Sequence, residues 1–248
     1  MSDLIYGVNP VMELLRRRPD QISEILTSRK EQGLEQIIKL AGQKGVKVKF
    51  GFRDELDRIT GSKEHQGIAA KAPLPEPAAL EDILEKTAAK ETALILLLDQ
   101  VEDPQNLGAI IRSAECAGAD GVVIPEHRSA AITPAVHKAS AGAIEWMPVS
   151  IVTNLARSLE KLKEAGFWTY AAVASAAQNI WQTKFSPKAG IVIGSEGKGI
   201  RQLLQKTCDF QVSIPLFGQI SSLNASVSAA VILYEFRRQV PAKPHPQV

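Results

Sequence analysis

The sequence predicts an α/β protein: a parallel sheet flanked by helices over residues 91–240, preceded by a smaller α/β unit over 1–72. Three observations carry this. Beyond residue 90, short apolar runs alternate with helical stretches, the pattern that builds a parallel sheet with helices on both faces. The runs are continuous rather than alternating, as strands buried on both sides require. Between the two regions, KAPLPEPAAL carries Pro73, Pro75 and Pro77. Proline fixes φ and restrains the residue before it, so this stretch is extended and marks a linker, 73–90, that runs into a short helix over 79–88.

In the first unit, 11–18 reads as helix, 22–26 as strand, 34–43 as helix and 46–50 as strand, followed by a short helix over 53–59 and a strand over 67–71. About seventy residues suffice, marginally, for an independent core. In the second unit the strands fall at 94–98, 121–124, 147–150, 168–173, 190–193 and 211–214. The helices fall at 106–118, 133–141, 154–165, 199–206 and 223–239. The tail 241–248, PAKPHPQV, reads as disordered.

Composition narrows the class. Of 248 residues, 45% are hydrophobic and 23% charged, the balance of a soluble globular chain. The longest aliphatic run, 93–98, is too short to span a bilayer, so no membrane partner is expected. MSDLIYGVNP lacks a basic flank and apolar core, so no secretory leader is expected. Cys116 and Cys208 make neither a disulfide framework nor a paired metal motif, which points to a reducing cytoplasm. Four scattered histidines give no ligand spacing, and no metal is expected. Net charge is +2 overall; residues 1–72 carry 13 Lys/Arg against 10 Asp/Glu, while 91–240 carry 13 of each. A phosphate-bearing partner suits the front unit without being required by it.

Ligands of open α/β sheets sit beyond the carboxyl ends of strands. The first strand of the second unit ends in DQVEDPQNLG, with no glycine-rich dinucleotide turn. The turn Gly194-Ser-Glu-Gly-Lys-Gly199 is neither G-x-G-x-x-G nor a Walker loop, and G-x-S-x-G is absent. Three stretches nevertheless hold more polar residues than packing demands. In 99–119, Pro104 and Asn106 mark a helix start, and Arg112 interrupts an apolar run. In 191–200, Glu196 sits among glycines at a strand end. In 214–238, a strand end and loop lead into a Ser/Ala-rich helix. Taken singly these are a solvated arginine, a helix N-terminus with a helpful acid, and a close-packed helix.

Together, and in this order, they resemble the SpoU (TrmH-type) branch of the SPOUT methyltransferases. The three motifs are Asn106-x5-Arg112, Gly194-Ser-Glu-Gly-x-Gly199, and Ile214-Pro215 followed by Ser222-Leu-Asn-x-Ser226; Ala225 stands where relatives usually have valine. Ile5-Tyr-Gly7 and His65-Gln-Gly67 resemble the small L30e-like RNA-binding domain that precedes the catalytic domain in many members. The resemblance implies a C-terminal trefoil knot and a homodimer whose active site draws on both subunits. It implies methyl transfer from S-adenosylmethionine to an RNA ribose 2′-hydroxyl, with a guanosine of 23S rRNA the expected target and tRNA or another rRNA nucleotide the alternative. A non-catalytic RNA-binding protein is disfavoured by the joint presence of Arg112, Glu196, Ser222 and Asn224. By the same resemblance Asn106 and Asn224 are polar anchors near the ribose and Glu196 an orienting acid. Ser222 is a loop polar group. Arg112 clamps the substrate phosphate or the incipient alkoxide. Gly194, Ile214 and Leu223 offer backbone contacts to the cofactor.

Overall fold

The computed structural model describes residues 3–28 and 33–241; the expected disordered tail lies, after Pro241, outside the described residues. In chain order the elements begin β1 (Asp3–Tyr6), α1 (Val8–Arg17), β2 (Glu24–Ser28), α2 (Glu35–Gln43), β3 (Val48–Gly51), α3 (Arg53–Thr60), β4 (Ile68–Ala72) and α4 (Leu80–Ala88). They continue with β5 (Ala93–Asp99), α5 (Pro104–Cys116), β6 (Gly121–Pro125), α6 (Pro134–Ala139), β7 (Val149–Val152), α7 (Leu155–Glu164), β8 (Trp168–Ala172), β9 (Lys188–Gly194), α8 (Gln202–Thr207), β10 (Phe210–Val212) and α9 (Ala225–Gln239). The chain forms two compact units, one of Met1–Glu76 with Ala131–Trp146, the other of Pro77–Ala130 with Met147–Val248.

The first unit is a four-stranded sheet in the order β1-β4-β2-β3, antiparallel except for the β2/β3 pair. Its core gathers Ile5, Val11, Leu14, Ile25, Ile37 and Ile68. β1 has no counterpart in the sequence reading: only Ile5 of its four residues is fully buried, so it shows no pattern. α1 begins at Val8, three residues earlier than the apolar spacing indicates. Gly7, at φ 102°, turns the chain sharply, and Pro10 is tolerated in a first turn. His65 is structural: its Nδ1 accepts from Gly67 N–H at 2.9 Å, so its Nε2 carries the proton and donates to Asp57 Oδ1 at 2.7 Å. Residues 131–146 fall within the interval 91–240 in sequence, yet they pack here. Arg18 forks onto Glu145 at 2.7 and 2.8 Å, and the buried His137 meets Glu145 Oε1 at 2.6 Å.

The second unit is a six-stranded, all-parallel sheet in the order β10-β8-β9-β5-β6-β7. All seven residues of β5 are buried, which is why it reads as an uninterrupted run. α4, from the linker interval, packs Leu80 and Ile83 against β5 and α7 residues. α9 packs along α5, and Arg237 donates to Ala117 O at 2.5 Å and Gly118 O at 2.6 Å, satisfying carbonyls at the end of α5. The α8 helix starts at Gln202 rather than at 199, because the chain doubles back after β9 before it can enter a helix.

Candidate active site

An open cleft of about 660 Å³ lies beyond the carboxyl ends of the adjacent strands β8, β9 and β10. Val173, Ile193, Gly194, Ile214, Leu223 and Ala225 supply apolar walls; Glu196, Ser221, Ser222 and Ser228 supply polar ones. A second cleft of about 680 Å³, lined by Gln100, Asp103, Asn106, Gly197 and Lys198, shares Ser195, Glu196 and Ala225 with the first. The two therefore meet at Glu196.

Asn224 ties this seam together. Its Oδ1 accepts from Ser226 N–H at 2.9 Å and from Ser226 Oγ–H at 2.6 Å, capping α9. Its Nδ2 donates to Asn106 Oδ1 at 2.9 Å and to Glu196 Oε2 at 3.2 Å. One amide thus starts a helix and joins residues from three separate stretches of chain. Asn106 is itself held at the start of α5, where Asp103 accepts from the Gln105 and Asn106 N–H groups at 3.1 and 3.2 Å and Pro104 takes the first helical position.

The turn after β9 explains Gly194. A Cβ there would lie 2.2 Å from the Gly199 carbonyl carbon and 2.4 Å from its oxygen. The constraint is thus the chain's own return, closed by Gly199 N–H donating to Ser195 O at 2.9 Å. Gly199, at φ 65°, makes the reversal. The returning chain is anchored by Asp99, which is fully buried. Its carboxylate accepts from Arg201 N–H and Arg201 Nε–H, both at 2.8 Å. Sequence reasoning did not single out this pair; the available signal was an acid closing a wholly apolar strand.

Asn106, Glu196 and Asn224 are therefore joined directly, and Ser222, Gly194, Ile214 and Leu223 line the first cleft. Arg112 is not brought to either cleft. It is exposed on α5, six residues past Asn106, about 600° of turn, which leaves the two side chains roughly 120° apart. It shares a stripe with Gln105, Ala109 and Cys116. On α9 the exposed Val227 and Tyr234 form a second stripe with the half-buried Val231. Among the described residues, no group of three His, Cys, Asp or Glu side chains could hold a metal ion, and no helix is long and apolar enough to cross a membrane.

Residues 93–234 match the SpoU rRNA Methylase family, and residues 4–78 match the RNA 2′-O ribose methyltransferase substrate binding family. The chain is 42% identical over 246 residues to the 23S rRNA (guanosine-2′-O-)-methyltransferase RlmB of Pseudomonas putida, covering 96% of this chain and 98% of that protein. It is 36% identical over 241 residues to the enzyme of the same name in Escherichia coli K12, covering 96% and 99%. A solved RNA 2′-O ribose methyltransferase superposes with a TM-score of 0.78 at 26% identity, covering 95% of this chain and 88% of that one. The fold is also that of AviRb from Streptomyces viridochromogenes, solved with AdoMet, with a TM-score of 0.77 at 24% identity over 96% and 90% of the two chains. With its motifs joined at one seam and this likeness along nearly its full length, the chain belongs to the SpoU family of RNA 2′-O-ribose methyltransferases.

Proposed function

We propose that the protein transfers a methyl group from S-adenosylmethionine to the ribose 2′-hydroxyl of a guanosine in 23S rRNA. The observation that carries this reading is the Asn224 amide, which binds Asn106 and Glu196 at the seam between the two clefts. The first cleft fits the cofactor in chemistry: it combines apolar walls with few polar groups. The main chain at Gly194, Ile214 and Leu223 and the small wall residues would hold it. When bound, S-adenosylmethionine supplies an electrophilic methyl on a sulfonium centre.

The chain's own task is to align the ribose oxygen and to ease the charge that develops on it. Glu196 Oε2 is engaged by Asn224, which leaves Oε1 to accept a hydrogen bond from the ribose. Asn106 fixes the Asn224 amide so that Glu196 keeps one orientation, and Ser222 presents a hydroxyl to the first cleft. Arg112 acts in this reading from a partner subunit. The stripes on α5 and α9 are the homodimer surface, and they carry Arg112 to the other protomer's seam. There its planar guanidinium clamps a phosphate or the incipient alkoxide, and a phosphate oxygen or water takes the proton. The first unit supplies RNA affinity.

Mapping ribose methyls in rRNA and tRNA from cells with and without the gene tests the target. Loss of one 2′-O-methylguanosine from 23S rRNA is expected; an unchanged 23S pattern with a methyl missing from tRNA would overturn the rRNA assignment.

A further inference from the structure

We propose that Trp181 and Phe217 form a stacking platform for an unstacked base of the RNA, one that neighbours the nucleotide being methylated. The inference rests on the reading above. The two rings stack on each other at a centroid distance of 5.9 Å and an interplanar angle of 13°. Yet Trp181 is 53% and Phe217 86% exposed. Large rings left in water forfeit the burial that normally places them in a core, and such patches mark interaction surfaces.

Both rings are mounted on the rim of the cofactor cleft. Phe217 follows Leu216, which lines that cleft. Trp181 sits on a turn knit by Asn179, whose Oδ1 accepts from the Trp181 and Gln182 N–H groups, both at 3.0 Å. Beneath it Ile180 is fully buried and donates its N–H to Ser213 O at 2.9 Å, one residue before the cleft residue Ile214. The pair is therefore held in register with the strand end that bounds the cleft. The near-parallel, offset contact with Trp181 leaves most of the Phe217 ring open to solvent.

A nucleobase is the occupant that matches a planar, open π-face beside an RNA-modifying cleft. Sequence-specific RNA recognition targets single-stranded loops and bulges, so a target that reaches the Glu196 seam in such a segment brings unstacked bases beside it. An aromatic face gives one of these a stacking partner whatever the base, because every base has a π-face. The exposed Lys184, three residues beyond Trp181, and Lys198 on the wall of the second cleft supply cations for the accompanying phosphates.

The test uses the full chain and a 23S rRNA fragment that the parent protein methylates. Phe217→Ala and Trp181→Ala should each weaken RNA binding about tenfold. Phe217→Tyr should bind like the parent; Phe217→Leu, which keeps the apolar bulk and loses the π-face, should behave like alanine. RNA should quench tryptophan emission in the parent and much less in Trp181→Phe. S-adenosylmethionine affinity and the sedimentation of each variant should match the parent. RNA binding unchanged in both alanine variants would overturn the platform. So would full binding by Phe217→Leu, dissociation of a dimer, or lost cofactor affinity, which would assign the rings to an apolar protein contact or to the cofactor wall. A parent protein that binds RNA without methylating it contradicts the proposed function instead, and the platform is then judged on binding and quenching alone.

Discussion

Asn224 does two jobs with the two ends of one amide, and substitution can separate them. Asn224→Asp keeps an oxygen to cap α9 but loses the donor and sets a second carboxylate beside Glu196. Thermal stability should fall by no more than about 1 kcal/mol, the scale of a helix cap, while turnover drops at least tenfold. A turnover equal to the parent's would show that the bridge is structural only. Arg112 makes the opposite case: exposed and outside the lining of both clefts of its own chain, it should be dispensable to the isolated fold. Arg112→Lys is expected to cut single-turnover methylation on the order of 100-fold, by analogy with removing one donor to a developing oxyanion, with cofactor affinity unchanged. A loss within about threefold, under 1 kcal/mol of barrier, would return it to the role of a solvated side chain. Of the seam residues, Glu196 stands out in the sequence among its glycines and Asn106 at a helix start, whereas Asn224 is singled out only by the resemblance to the SpoU family. Which of them meet was not legible, since Asn224 reaches back 118 residues to Asn106.

At the scale of elements, β5 and β6 were legible because burial on both faces leaves no alternation to misread. Boundaries shifted where a turn intervened. β1 stayed hidden because four residues with one buried side chain carry no period. The turn after β9 lines both clefts, and the proposed cofactor site depends on it. Asp99 is its anchor, so Asp99→Ala should leave Arg201 without its carboxylate and free the returning chain. Removing one partner of a buried pair costs roughly 3–5 kcal/mol; because Arg201 is half exposed here, the low end is expected, read as a fall in melting temperature. Cofactor affinity should fall with it, since Glu196 and Gly194 ride on the same turn. Unchanged cofactor affinity in a folded variant would show that the turn holds itself.

At the scale of the whole molecule, the two-unit division was legible from its prolines, but the membership of residues 131–146 was not. Their attachment runs through Arg18 and Glu145, 127 residues apart. Burial pushes the Glu145 carboxyl up, but hydrogen bonds from Arg18 and His137 and the charge of both outweigh it, so the net shift is downward. A carboxyl whose folded pKa is depressed adds stability above its unfolded value, about 4.3 for Glu, and loses it as pH falls through the folded one. Melting temperature followed downward from neutral pH should therefore drop less steeply in Glu145→Gln than in the parent, from a lower start. A parallel slope would remove Glu145 from the acid limb. A chain beginning at Pro77 should still bind S-adenosylmethionine, because its cleft is complete. It should lose RNA affinity, and it should aggregate more readily, because Val136 and Ile144, buried in the first unit, become exposed.

The most direct measurement incubates the purified full chain with methyl-labelled S-adenosylmethionine and unmodified 23S rRNA, digests the RNA to nucleosides and identifies the labelled one by mass spectrometry. The label is expected in 2′-O-methylguanosine, with its rate of incorporation lowered at least tenfold in Asn224→Asp and on the order of 100-fold in Arg112→Lys. Label on a base rather than a ribose, or no transfer to RNA by a protein that binds both cofactor and RNA, would contradict the assignment of the seam at Glu196 and Asn224 as a site of ribose methylation.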